Sequence, residues 1–322
     1  MNTRLVEYIE SSFLSPLLKK ADITDISYNG VSLFYMDNLV GRRKADIEID
    51  NETAINFLRQ IANLSERQFS FSVPNLSISS GRYRINALHS SIVRVGDEKA
   101  VSFDIRIASN EMRITNDGKF MPSKVHEFLL YALNNNKSIV IGGSVGSGKT
   151  ELQKYLISSF KENTRAIIID DIQELDYMKR DEKLDITCWQ IQPNNPNASI
   201  SELVRVALRS NPDWLIVAES RGKEMVDLLN SVMTGHPIIT TIHTSSLKHM
   251  PNRIAGMIQS SGSTEPYVDI LRDVYDHFDV FVYLTREFKK DGTIERYVSS
   301  LGVSENGQIK TIYERSKNSE KD

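Results

Sequence analysis

A chain of 322 residues, 40% hydrophobic and 25% charged, is longer than one typical domain and has enough apolar material for two cores. Its 39 basic and 42 acidic residues leave a formal charge of −3, so no global field favours nucleic acid or an anionic membrane, and direct nucleic-acid binding is not expected. The one cysteine, Cys188, excludes an intrachain disulfide, and no apolar run reaches the roughly 18 to 20 residues of a membrane span, so a cytoplasmic protein is expected that reaches a membrane only through partners.

Residues 1–108 read as a smaller α+β N-terminal domain. "RLVEYIESSFLSPLLKK" has helical spacing, "DITDISYNGVSLFYMDN" reads as two strands around an Asn29-Gly30 turn, and "ETAINFLRQIANLSE" returns to helix. "SGRYRINALHSSIV" and "KAVSFDIRIA" then alternate with the period of half-buried strands. Residues 109–121, "SNEMRITNDGKFM", are polar and without periodicity, which marks a linker. From 122 to 322 the short, wholly apolar runs "SIVIGG", "AIIID", "WLIVA" and "PIITTI" alternate with amphipathic patterns. Strands that are apolar on both faces imply a parallel sheet covered by helices, so this second domain is α/β. The predicted helices place Leu152, Tyr155, Leu156 and Phe160 on one apolar face, likewise Ile200, Leu203, Val204, Ala207 and Leu208, and likewise Met225, Leu228, Leu229, Val232 and Met233. The segment after about 287 has turn signals at Asp291-Gly292 and Asn306-Gly307 and ends in a charged run, "ERSKNSEKD", expected to fray.

Four of the chain's 16 glycines fall between residues 142 and 148, in "IGGSVGSGKTELQKYL". Gly143-x-x-x-x-Gly148-Lys149-Thr150 is the phosphate-binding loop pattern, with an apolar strand before it and a helix after it. A loop that wraps a polyphosphate turns several backbone N–H groups inward at close range, where side chains would block the approach. Gly143, Ser144, Val145, Gly146, Ser147, Gly148, Lys149, Thr150 and Glu151 are therefore the expected ATP-binding segment. Lys149 would reach the β- and γ-phosphates, and the Thr150 hydroxyl would ligate Mg²⁺.

Glu219, in "NPDWLIVAESRG", emerges at the carboxyl edge of an apolar strand, where open α/β sheets place ligands. It would orient or activate water or hold Mg²⁺ through water; the alternative is a cap for the helix beginning "RGKEMVDLL". Asp170, Asp171 and Glu174 follow the strand "AIIID" and are either a metal-ordering cluster or a solvated loop. His236 precedes the strand "PIITTI" and His243 ends it, which puts His243 near the γ-phosphate or else makes it an ordinary satisfied histidine.

In order, "GGSVGSGKT", "IIIDDIQEL", "LRSNPDWLIVAESRGKEMVDLLNSVMTGH" and "TTIHTSS" resemble the secretion ATPase superfamily, the hexameric motors of type II and type IV secretion, type IV pili and DNA uptake. The resemblance covers about residues 138–262, with a looser match at "DITDISYNG" and "SGRYRINALHSSI". The long segment carries the family's signature at Arg209, Pro212, Asp213, Glu219, Arg221, Gly222, Asp227, Thr234, Gly235 and His236. The resemblance implies a RecA-like P-loop NTPase domain behind a sensory domain, an ATPase needing ATP and Mg²⁺, and a homohexamer docked on inner-membrane components of its machine. It implies a catalytic set of Glu219, Glu174, His243 and Lys149, with Glu174 and His243 as γ-phosphate and metal sensors. It also implies phosphate-neutralising arginines in the N-terminal domain: Arg106 is the first choice among Arg82, Arg84, Arg94 and Arg106. Ala218 where the family has glycine, Asp where Glu-Asp is common, "IHTSS" for "IHANS", and Glu151 after the loop threonine depart from the pattern. A carboxylate at 151 is expected to weaken nucleotide affinity or slow turnover. With one cysteine there is no paired Cys-x-x-Cys module of the type II secretion and pilus-extension ATPases, and the chain begins almost at the sensory domain, which favours the compact form of type IV secretion and conjugation. Rival readings are a pilus assembly, retraction or DNA-uptake motor, an ATP-binding scaffold with negligible turnover, and a RecA-type helicase.

Overall fold

The computed structural model of the chain describes residues 3–109, 112–114, 118–170, 174–175, 182–192 and 195–316. Asp171, five positions of the expected linker (110, 111 and 115–117) and the end of the charged run from residue 317 lie outside them. By their contacts the described residues up to Ser109, with Glu174 and Phe288–Glu295, group as one unit, and the other described residues as a second.

The first unit runs α1 (Thr3–Ser11), α2 (Ser15–Leu18), β1 (Ile23–Tyr28), β2 (Leu33–Asp37), β3 (Gly41–Lys44), α3 (Asn51–Leu64), β4 (Asn75–Ser80), β5 (Tyr83–Leu88), β6 (Arg94–Val95), β7 (Glu98–Lys99) and β8 (Ser102–Ile107). Six strands pair antiparallel in the order β3-β2-β1-β8-β5-β4, and β6 with β7 make a small separate ribbon. The Asn29-Gly30 signal is a true turn: Asn29 Oδ1 accepts from the amides of Val31 and Ser32, and Gly30 takes φ 92°. Period-two alternation turns Ile85, Ala87, Phe103 and Ile105 into a core shared with Leu5 and Ile9 of α1 and with Phe57, Leu58 and Ile61 of α3. Asp50 caps α3 by accepting from the Thr53 amide at 2.7 Å. The same alternation puts Arg84 and Arg106 opposite each other in the β5–β8 pairing, on the face away from that core.

The second unit runs α4 (Ser123–Asn134), β9 (Ile139–Gly143), α5 (Lys149–Ser158), β10 (Arg165–Asp170), β11 (Asp185–Gln190), α6 (Ile200–Leu208), β12 (Trp214–Val217), α7 (Glu224–Met233), β13 (Ile238–Ile242), α8 (Met250–Ser260), α9 (Tyr267–His277), β14 (Val280–Phe288), β15 (Ile294–Glu305) and β16 (Gln308–Glu314). The sheet order is β11-β10-β12-β13-β9-β14-β15-β16; the strands from β11 to β14 are parallel to their neighbours, and β15 pairs antiparallel with β16. Ile139, Ile141, Ile168, Ile216 and Ile239 pack in one core with Leu129 of α4 and Leu152 and Leu156 of α5. Their strand neighbours Val140, Ile167, Ile169, Leu215 and Ile238 pack in another with α6, α7, α8 and α9. Every central strand residue is thus buried on one face or the other, which is why these strands read as unbroken apolar runs.

Two expectations are corrected. Phe160 packs against the same core as Leu152, Tyr155 and Leu156, as expected, but from beyond the helix: α5 ends at Ser158, and Phe160 stacks on Trp214 with ring centroids 5.3 Å apart. Met233 leaves the buried face of α7 and is 45% exposed, because the helix ends there and the chain turns away at Gly235 (φ 88°).

Gly142 is buried in β9 next to the loop. A Cβ there would stand 2.7 Å from Thr244 Cγ2 and 2.9 Å from Met250 Sδ. Gly142→Ala is therefore expected to cost about 1–3 kcal/mol of stability through overpacking, read as a lower denaturant midpoint with an unchanged slope.

Candidate nucleotide site

The apolar run of β9 stops at Gly143 and helix geometry resumes at Lys149, so the loop hangs from the centre of the sheet. Gly146 (φ 71°) and Gly148 (φ 97°) turn the chain through left-handed conformations that other residues adopt at a cost. At Gly143 the constraint is space: a Cβ would meet Ser147 Oγ at 2.5 Å and the Leu284 carbonyl at 2.7 Å. The Ser147 hydroxyl is buried and has no hydrogen-bond partner among the described residues. Lys149 is itself buried, and its ammonium donates to the carbonyls of Gly143 (3.1 Å) and Ser144 (2.9 Å) and lies 3.3 Å from His243 Nδ1. Thr150 is half-buried as the second residue of α5. A glycine cradle, a buried hydroxyl without a partner and a buried ammonium at a helix N-terminus are the donor set that an anionic polyphosphate requires.

The strand order makes the next two sites neighbours of the loop. β9 pairs with β13, which is followed by His243, and β13 pairs with β12, which is followed by Ala218 and Glu219. His243 Nε2 lies 2.9 Å from Glu219 Oε1, and Arg221 donates from Nη2 to Glu219 Oε2 at 2.7 Å. Lys149, His243, Glu219 and Arg221 therefore form one continuous line of polar contacts. The backbone beneath is held by Ala218 N to Ile169 O (3.0 Å), Ser220 N to Thr241 O (2.9 Å) and Gln153 Nε2 to Val217 O (3.0 Å). Burial pushes the Glu219 carboxyl up, but the Arg221 guanidinium, then His243 and Lys149, pull it down further, and it stays below the usual glutamate value. Glu219 does not cap α7, whose N-cap Lys223 makes no side-chain capping bond; Glu224 Oε1 instead accepts from the amides of Arg221 and Gly222 in the turn before the helix.

The remaining candidates are placed differently. Arg106 and Glu174 pair with each other, Nε to Oε1 at 3.6 Å. Asp170 is buried at the end of β10 and accepts from the Leu175 amide at 3.2 Å. Arg82 is engaged with Tyr83, the Leu18 carbonyl and Glu10, Arg94 is exposed on β6, and His236 Nδ1 lies 3.2 Å from Thr234 Oγ1. Glu151 accepts from Lys154 Nζ at 2.8 Å and from the Arg113 amide at 2.9 Å, so its charge faces a buried ammonium within α5. Glu151→Ala removes one partner of that ammonium and is expected to lower stability by about 1–3 kcal/mol, measured by chemical denaturation.

Two arginines near the loop escaped sequence reading. Arg296, on β15, donates from Nε to the Gly146 carbonyl at 2.7 Å, and Arg286, on β14, places Nη1 3.2 Å from where a Gly146 Cβ would be. A charged residue at the end of an apolar strand, the signal that identified Glu219, also marks Arg286 in "DVFVYLTREF".

A glycine cradle on the first parallel strand, with a glutamate and a histidine at the ends of the next two, gives this unit the fold of a RecA-like P-loop NTPase, with an α+β unit earlier in the chain. Residues 83–271, more than half of the chain, match the family described as type II/IV secretion system protein, and the chain belongs to that family, within the traffic ATPase superfamily. It is 32% identical over 184 residues to the type IV secretion system protein VirB11 of Brucella suis, covering 56% of this chain and 50% of that protein. It is also 27% identical over 268 residues to a Bacillus anthracis protein, covering 79% of this chain and 58% of that one. The chain thus spans about half the length of these curated relatives. The crystal structure of the Brucella suis VirB11 ATPase in complex with sulphate superposes with a TM-score of 0.50 at 25% identity, covering 94% of this chain and 95% of that one. In fold alone, the Legionella pneumophila ATPase DotB superposes with a TM-score of 0.64 at 20% identity, covering 94% and 80% of the two chains. Among the described residues no helix is long and apolar enough to cross a membrane.

Proposed function

We propose that the chain is an ATPase that couples hydrolysis of Mg²⁺-ATP to type IV secretion or conjugative transfer of protein or DNA-protein substrate. The observation that supports this is the contact line from Lys149 through His243 to Glu219, which sets a buried ammonium and a carboxylate within one side chain of each other.

In this reading the loop amides and Lys149 hold the β- and γ-phosphates, the ammonium exchanging its carbonyl partners for phosphate oxygens. Mg²⁺, when bound at the Thr150 hydroxyl, would neutralise charge between the β- and γ-phosphates. Glu219, ionised at neutral pH, accepts a hydrogen bond from the attacking water and orients it. His243 bridges Glu219 and Lys149 and so senses whether a γ-phosphate is present. Arg106 and Glu174 are assigned to nucleotide contact in the closed state. The working form is a homohexamer on the cytoplasmic face of the bacterial inner membrane, joined to membrane components of its machine. The 32% identity to VirB11 supports type IV secretion over the pilus and DNA-uptake motors.

The test is phosphate release and particle size in the same preparation. Steady release without DNA, and a ring-sized particle with ATP, are expected. Release at the level of the Glu219→Gln protein would make the chain an ATP-binding scaffold, and release only with DNA would favour a helicase.

A further inference from the structure

The two flanks of the phosphate loop are built from different chemistry. β9 lies between β13 and β14 in the sheet. On the β13 flank stand His243, 3.3 Å from the Lys149 ammonium, and beyond it Glu219, 2.9 Å from His243. On the β14 flank stand Arg286 and Arg296, both within the unit that carries the loop. Arg296 holds the Gly146 carbonyl through Nε, and its Cδ lies 3.9 Å from where a Gly148 Cβ would be. Arg286 spreads along the same glycine, with Nη1, Cδ and Cζ at 3.2, 3.7 and 3.8 Å from the position of a Gly146 Cβ. The Phe120 ring closes this flank, 3.3 Å from the position of a Gly148 Cβ, and its backbone is held by the Val298 amide donating to the Phe120 carbonyl at 2.8 Å.

The electrostatics agree with the geometry. Burial, then the nearby Arg286 and Arg113, pull the Arg296 guanidinium down to about 10. Each of these influences opposes its positive charge, and an anion placed at this flank would offset them by direct attraction. The guanidinium fork suits phosphate oxygens, and Gly146, with no side chain, leaves both arginines against the loop backbone.

We propose that Arg286 and Arg296 are nucleotide-binding residues of the ATPase unit itself, taking the α- and β-phosphates of a nucleoside di- or triphosphate on the β14–β15 flank of the loop. The proposal rests on the reading of the loop as an ATP site. It places phosphate-neutralising arginines in the same unit as the loop, in addition to Arg106. Because the γ-phosphate is read from the opposite flank by Lys149 and His243, the two arginines serve ADP and ATP equally.

The test is calorimetric titration of the full chain with MgADP and with MgATP. Arg286→Gln and Arg296→Gln are each expected to weaken both nucleotides by about tenfold, leaving the ratio of the two affinities unchanged. Arg296→Lys, which keeps the charge and a donor, is expected to recover part of the loss. Melting temperatures without nucleotide show whether each variant is folded. Should Arg296→Gln fail to fold, Arg286→Gln, which leaves the bond to Gly146 in place, carries the test. Wild-type affinity for both nucleotides in the Arg286→Gln, Arg296→Gln double variant would overturn the proposal, as would loss of ATP binding with ADP binding intact. Wild-type protein that binds neither nucleotide is a separate result, and it overturns the ATP-site reading itself.

Discussion

Replacing Lys149 by alanine is expected to weaken MgATP binding by about a hundredfold or more. The ammonium is buried, is held by the Gly143 and Ser144 carbonyls at 3.1 and 2.9 Å, and stands where α5 directs its dipole. Two charge-assisted hydrogen bonds to phosphate oxygens, at about 1.5–3 kcal/mol each, set the size of the loss. The fold itself should survive, since alanine is a good helix former and the lost bonds go to loop carbonyls. The measurement is the nucleotide-dependent rise in melting temperature, present in wild type and absent in Lys149→Ala at the same MgATP concentration.

Glu219→Gln is expected to separate binding from turnover. The amide keeps the volume of the carboxylate but cannot accept the water's proton, so turnover should fall by about 10²–10⁴-fold, the usual contribution of a positioned general base. ATP affinity should hold or rise, because the substitution removes a negative charge beside the phosphate site. Chromatography of the bound nucleotide would find ATP in the variant and ADP in the wild type. The low value of the Glu219 carboxyl carries a sign for pH. A carboxyl depressed in the folded state adds stability above its unfolded value of about 4.5, and that stability disappears as pH falls through the lower folded value. Without nucleotide, Glu219 therefore stays ionised above pH 5.

Much of this was legible in the sequence, for reasons particular to the elements. β9, β10, β12 and β13 announce themselves because each residue is buried on one face or the other. Glu219 and His243 were legible as strand-end residues, and the parallel pairing of β12, β13 and β9 then makes them meet. β11 was not legible: as an edge strand its residues are mostly half-exposed, and "DITCWQ" offers neither an apolar run nor a clean alternation. The turns at Asp291-Gly292 and Asn306-Gly307 were visible, and Gly292, Asn306 and Gly307 do take positive φ. Of the strands they join, β14 does carry an apolar run ending near Arg286, whereas β15 and β16 were hidden by polar and aromatic residues such as Arg296, Tyr297 and Tyr313. Arg296 was hidden with β15, since no motif links it to a glycine 150 positions away. The pairing of Glu151 was also beyond the sequence, because its buried partner Lys154 looks like any surface lysine one turn on.

The most direct test of the central claim, that this glycine cradle and its lysine hold a triphosphate beside an activating carboxylate, is calorimetric titration of MgATP into the pure wild-type chain with phosphate followed in the same sample. Saturable binding accompanied by continuing phosphate release is the predicted result. No binding, or binding that Lys149→Ala reproduces at full affinity, would contradict it.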